Sequence, residues 1–260
     1  VSWAQPQLSA NSMGKKPQTI ADVLSVGDII YLRALEDDAW QLTQIPEVQG
    51  ALVSLASEDG AITALQGGFD FFQNKFNRVT QSKRQPGSGF KPFVYSAALE
   101  KGYTAATVVN DAPVVFDDPG LENVWRPENY SGRFFGPTRL REALTHSRNL
   151  VSIRLLRDIG IAYTVDYVQR FGFKPDQVPP NLSIALGSGN AAPLDMARAY
   201  ATLANGGHLV DPYVISRVEN TAGEILMQTK PQKVCDSCAV PNEDITEEEA
   251  LMQAELLGFY

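Results

Sequence analysis

Ser88 and Lys91 stand three residues apart in the stretch Gln85-Pro86-Gly87-Ser88-Gly89-Phe90-Lys91-Pro92-Phe93-Val94-Tyr95. On a helix, positions i and i+3 share a face, so this hydroxyl and this amine can meet. A serine hydroxyl is a weak nucleophile, and a neutral amine in reach can take its proton; the chemistry open to such a pair is acyl transfer through an ester. The amine serves only when uncharged, which requires burial or nearby positive charge to lower its pKa. The bare pattern is not specific. Ser12-Met13-Gly14-Lys15 has the same spacing, but it sits in a polar segment ending at Pro17 with no apolar helix behind it. The flanking elements have to separate the two.

Around Ser88 they do. Gly87 gives backbone freedom just before an apolar, helix-forming run. Pro92 has no N–H and is tolerated only near a helix start, so Ser88 belongs to the first turn or its edge. There the free N–H groups and the positive dipole end can stabilise an anion. The spacing predicts a helix to about Glu100, stopped by Gly102. Upstream, residues 48–55 and 61–65 read as two strands joined by Ser57-Glu58-Asp59-Gly60. A polar stretch with Lys75, Arg78, Lys83 and Arg84 follows, either a solvated loop or an attractor for anionic polymer.

Residues 103–137 are rich in Pro, Gly and Asn and read as irregular, the kind of stretch that often borders a site. Helical character returns at Thr138, continues past Ser147-Arg148-Asn149, and recurs at about 163–171 and from Pro193 to Asn205-Gly206-Gly207. Residues 213–218 and 224–229 form a hairpin around Thr221-Ala222-Gly223, and 246–257 reads as an acidic helix. Residues 1–46 read as short β segments, with an apolar run at Ile29-Ile30-Tyr31-Leu32 and period-two alternation over 40–45.

Composition narrows the class. The 260 residues are 44% hydrophobic and 20% charged, which fits a globular chain. A net charge of -8 argues against a nucleic-acid binder. No apolar run reaches membrane-spanning length, and Val1-Ser2-Trp3-Ala4-Gln5-Pro6 is not a signal peptide. Cys235 and Cys238 form a Cys-x-x-Cys pair far in sequence from His146 and His208, and no chemistry is assigned to it.

Gly87-Ser88-Gly89-Phe90-Lys91-Pro92-Phe93 followed by Val94-Tyr95-Ser96-Ala97-Ala98-Leu99 resembles the first motif of the penicillin-binding proteins, most closely the transpeptidase domain of the class A, bifunctional type. The family's second motif is Ser-x-Asn on a loop between helices. Three matches exist: Ser9-Ala10-Asn11, Ser147-Arg148-Asn149 and Ser188-Gly189-Asn190. Ser147 closes the pattern Leu140-Arg141-Glu142-Ala143-Leu144 and is selected by that context; the Ser188 triplet matches a structural turn of the family. The third motif, Lys-Thr/Ser-Gly on a strand, does not occur in this sequence, and the resemblance places it beyond Tyr260.

The resemblance implies an α+β fold of the serine D,D-transpeptidase/β-lactamase type, incomplete at its C-terminal strands. The end of a small OB-like β-barrel insert would occupy residues 1–46 and the transpeptidase domain 47–260. It implies Ser88 as nucleophile, Lys91 as base, Ser147 as proton relay and Asn149 as a ligand of both lysine and substrate. Trp125 and Tyr130, in Trp125-Arg126-Pro127-Glu128-Asn129-Tyr130, would lie near the substrate. The implied activity is crosslinking of peptidoglycan stem peptides, with acylation by β-lactams, no metal and no cofactor. The implied setting is the periplasmic face of a bacterial inner membrane. The missing strands of the domain and a membrane-anchored glycosyltransferase would be its partners. A serine β-lactamase, a D,D-carboxypeptidase and a non-catalytic fragment binding wall peptides or partner proteins remain open alternatives.

Overall fold

A computed structural model describes residues 19–36, 39–114 and 125–234. Ser9, Ser12, Lys15, the Asp117-Asp118-Pro119-Gly120 turn, Cys235, Cys238 and the acidic helix expected at 246–257 lie outside the described residues. The chain divides into two compact units, residues 1–49 and 50–260.

In the first unit, β1 (Tyr31–Ala34) pairs antiparallel with β2 (Trp40–Thr43), Tyr31 facing Thr43 and Ala34 facing Trp40. Ile20–Asp22 is a 3-10 turn rather than a β segment. Its geometry is local: the Asp22 carboxylate accepts the Thr19 N–H at 2.8 Å, the backbone-competing bond that favours turns over strands.

In the second unit, β3 (Leu52–Leu55) and β4 (Ile62–Gln66) form an antiparallel hairpin whose register shifts between Ser54 and Leu55. A 3-10 turn, Gly87–Phe90, runs into α1 (Lys91–Glu100). α1 buries Phe93, Val94, Ala97 and Ala98 completely. The region expected to be irregular contains a further pair, β5 (Val108–Asp111) with β6 (Gly136–Arg139). These strands were not legible because each is four residues long, and β6 begins Gly-Pro, which has no apolar alternation and cannot donate from Pro137. Pairing with β5, not propensity, makes it a strand.

Three helices then wrap α1. α2 (Leu140–Thr145) leads into α3 (Asn149–Ile159), and α4 (Ile161–Val168) follows after Gly160. α3 buries Leu150, Val151, Ile153, Leu155 and Leu156 completely and leaves Arg157 and Asp158 exposed. Phe93 of α1 meets Phe90, Phe171 and Phe173 at ring-centroid distances of 5.6, 5.0 and 5.1 Å. Burying aromatic rings of this size is the main stabilising term near the site, and tilted ring pairs add to it. α5 (Pro193–Ala204) lies against β3, and β7 (Arg217–Glu219) pairs with β8 (Ile225–Gln228). The unit is α+β, with its apolar core centred on α1 and α3.

Candidate active site

Ser88 lies on the 3-10 turn and is exposed; Lys91 is the first residue of α1 and only 1% exposed. The Lys91 N–H donates to Ser88 O and closes the 3-10 turn, and in such a turn positions i and i+3 lie on one face. Pro92 is the second residue of α1, where its missing N–H leaves no bond unmade.

Three contacts hold this turn. Arg84 and Ala191 exchange backbone bonds of 3.0 Å each way, and the Gly87 N–H donates to Gly187 O at 3.2 Å. The Tyr200 hydroxyl donates to Gly89 O at 2.8 Å. Gly187 has a left-handed φ of +72°, and a Cβ there would lie 2.0 Å from Gly87 O. The Ser188-Gly189-Asn190 triplet is thus part of a packed turn behind Ser88. Ser188 Oγ bonds Ser183 Oγ at 2.6 Å, and the Asn190 N–H bonds Gln177 O at 3.0 Å.

Ser147 joins α2 to α3. The Ser147 N–H donates to Leu144 O at 3.0 Å and the Arg148 N–H to Ala143 O at 2.8 Å, which is the Schellman closure of a helix. That closure puts the residue after the C-cap in the left-handed region, where glycine is preferred. Gly102 fills the equivalent position after α1, with φ +91° and the matching bond from Tyr103 N–H to Ala98 O. After α2 the position is held by Ser147, φ 53°, the only non-glycine with positive φ among the described residues. The left-handed backbone here carries a hydroxyl where glycine would be less strained.

Lys91 Nζ gathers this loop. It donates to Ser147 O at 2.7 Å, Ser147 Oγ at 2.9 Å and Asn149 Oδ1 at 2.7 Å. Burial strips water from the ammonium and lowers its pKa from 10.5 to about 8. Asn149 is fixed from a third segment: its Nδ2 donates to Glu128 O at 2.8 Å and its backbone N–H to Asn129 Oδ1 at 2.8 Å.

A cavity of about 450 Å³ is lined by Ser88, Asn129, Tyr130, Ser131, His146, Ser147, Arg148 and Asn149. Of the residues predicted from sequence, Ser88, Tyr130, Ser147 and Asn149 border it, and Lys91 is buried against the Ser147–Asn149 loop. Trp125 packs against the apolar core instead. Sequence reasoning did not single out Asn129, Ser131, His146 and Arg148. The Pro127-Glu128-Asn129-Tyr130 cluster of turn-forming polar residues was the available signal for the first. Arg148 stacks its guanidinium over the Phe135 ring, 3.3 Å from the centroid. Among the described residues, no three His, Cys, Asp or Glu side chains group so as to hold a metal ion.

Comparison with known proteins identifies the family. A family model described as the penicillin binding protein transpeptidase domain matches residues 50–255, and one described as the penicillin-binding protein OB-like domain matches 1–48. Penicillin-binding protein 1A of Pseudomonas aeruginosa is 51% identical over 90% of this chain, and that of Escherichia coli 45% over 93%. The chain spans 28% of the length of each. The crystal structure of penicillin-binding protein 1A from Haemophilus influenzae superposes with TM-score 0.76 at 45% identity, over 82% of this chain and 32% of that one. A structure of PonA1 from Mycobacterium tuberculosis in complex with penicillin V superposes with TM-score 0.60 at 29% identity, over 70% of this chain and 51% of that one. With the α+β architecture and the site above, these matches show that the chain belongs to the penicillin-binding protein transpeptidase family.

Proposed function

We propose that this chain carries the acyl-transfer centre of a peptidoglycan D,D-transpeptidase. The observation that supports it most is the meeting of Lys91 with Ser147 and Asn149. These groups are 56 and 58 residues apart in sequence, and bond at 2.7–2.9 Å beside the cavity that Ser88 borders. As an ammonium, Lys91 has three N–H bonds and three acceptors, so no lone pair is available. Losing one proton frees a lone pair for the Ser88 hydroxyl, and the depressed pKa makes that loss accessible near neutral pH.

The reaction then runs in two halves. Ser88 Oγ attacks the carbonyl of the D-alanyl-D-alanine bond while its proton passes to Lys91 Nζ. The C–N bond breaks, and the leaving amine takes a proton delivered through Ser147 Oγ. Asn149 orients the lysine, and Tyr130 borders the bound peptide. In the second half a stem-peptide amine attacks the ester, its proton returns along the same path, and Ser88 is released with the crosslink made. A β-lactam would acylate the same oxygen through its strained amide, in keeping with the penicillin V complex of the mycobacterial relative.

We further propose that the complete protein works at the periplasmic face of the inner membrane, beside a glycosyltransferase domain. A Lys-Thr/Ser-Gly strand, not among these 260 residues, would complete the cleft. No described helix is long and apolar enough to cross a membrane.

Labelling of the complete product of this reading frame with a fluorescent penicillin tests the proposal. Covalent label is expected. Ser88→Ala abolishes it, and Lys91→Ala slows it by roughly 100-fold or more, the range of a lost general base. Label that persists on Ser88→Ala would refute the assignment.

A further inference from the structure

Behind the Ser147–Asn149 loop lie two buried polar side chains with no part in the reaction as written. Asp111, at the end of β5, is fully buried, and Asn129 is 5% exposed. Burying a carboxylate and an amide is tolerable only when their bonding capacity is filled. Here the Asn129 amide meets both oxygens of the Asp111 carboxylate. Asn129 Nδ2 donates to Asp111 Oδ1 at 2.8 Å and Oδ2 at 2.9 Å, and to Arg133 O at 2.9 Å. Its Oδ1 is left facing the Asn149 N–H at 2.8 Å.

That N–H is the first of α3, one of the donors every helix leaves unpaired. The local N-cap residue, Arg148, makes no side-chain cap bond. Asn129 therefore caps α3 from another segment, 20 residues upstream. Asp111 decides which way the amide points. A flipped Asn129 would set its oxygen against the carboxylate and its NH2 against the Asn149 N–H, a repulsion at both ends. Next to it, Glu128 O holds Asn149 Nδ2, so segment 128–129 restrains both the backbone and the side chain of Asn149. The atom left to face Lys91 is Asn149 Oδ1.

We propose that Asn129, held in one amide orientation by Asp111, is a positioning residue that aims Asn149 at Lys91. The inference rests on the reading of Ser88 and Lys91 as the acylating pair. It makes Asp111 the far end of a four-residue chain, Asp111–Asn129–Asn149–Lys91, drawn from β5, the 127–130 segment, α3 and α1. The charged and titratable groups around it are Glu128 and Arg133, whose carbonyls join the chain, His146 and Arg148 on the loop, Arg154, which donates to Ala112 O and Pro113 O beside Asp111, and Tyr95, which reaches the loop through Ser152 Oγ at 3.1 Å.

The test is the rate of acylation by a fluorescent penicillin as a function of pH, in the complete product of the reading frame. Asn129→Ala should lower the plateau rate about 10- to 100-fold, the size of effect usual for the outer partner of a functional side chain. It should also move the rising limb to lower pH, because the Lys91 ammonium loses a fixed acceptor. Asp111→Asn, which keeps the shape and removes the charge, should act in the same direction and less. The double variant should match Asn129→Ala alone, since Asp111 acts through Asn129. A merely structural role would scale the rate equally at every pH and leave the limb in place; that result, or additive losses in the double variant, overturns the proposal. If Asn129→Ala does not fold, the limb of Asp111→Asn decides alone. A wild-type protein that takes no label at any pH overturns the acylation reading, and the positioning role with it. Label on the wild type with an unmoved limb in both variants overturns the positioning role only.

Discussion

In the proposed reaction, Lys91 links protonation to rate. Its pKa falls from 10.5 to about 8 because burial disfavours the charged form. The neutral fraction grows as pH rises, so acylation by a penicillin should climb about tenfold per pH unit below the pKa and level off above it. Stability follows the same sign. Between about 8 and 10.5 the unfolded lysine still holds the proton that the folded one has released, so the folded state gains relative to the unfolded as pH rises through that window. A pH series of labelling rates checks the first, and urea midpoints across the window check the second; a rate that falls from pH 6 to 8 would contradict the base role. Ser147 offers a second residue-scale prediction. Its left-handed φ of 53° costs stability that glycine would not. Ser147→Gly relieves that strain but takes from the buried Lys91 Nζ one of its three acceptors, so stability should stay within about 1 kcal/mol of the wild type while acylation slows, which a denaturation curve and a time course check together.

At the scale of elements, the Ser88 turn depends on a neighbour that has no reactive group. Gly187 combines a φ of +72° with a Cβ position 2.0 Å from Gly87 O. Gly187→Ala should destabilise by roughly 2–4 kcal/mol and depress labelling beyond the loss of folded protein, because the displaced backbone carries Ser88. Circular dichroism melts beside labelling of the folded fraction separate the two effects. The same elements show what a sequence discloses. The α1 start and the Gly102 stop are legible in local chemistry, a proline near a helix start and a glycine just past its end, whereas the loop at Ser147 is picked out by the family's Ser-x-Asn pattern. The pattern predicts one helix over about 163–171, and the structure starts α4 at Ile161 and ends the span in a 3-10 turn, Gln169–Phe171. β5 and β6 were not legible, because their pairing is made by the fold rather than by the four residues of each. Nor was the link of Asn129 to Asp111, 18 residues away, for the same reason.

At the scale of the molecule, motifs at 88–91 and 147–149 become one site because α1 and α3 pack together through a shared core. The apolar residues of α3 follow directly on Asn149, so burial of Leu150 and Val151 seats the loop as well as the helix. Sequence could give the two motifs and their order; it could not give the single amine at which they converge, since that depends on how two helices meet. In the proposed reaction this amine makes Ser88 a nucleophile toward an activated carbonyl. The most direct measurement of that step is peptide-mapping mass spectrometry of the complete protein after brief exposure to penicillin. One adduct of penicillin mass is expected on the peptide containing Ser88, absent from Ser88→Ala and slow to form on Lys91→Ala. An adduct on any other residue, or none on a folded protein, would contradict the proposed reaction.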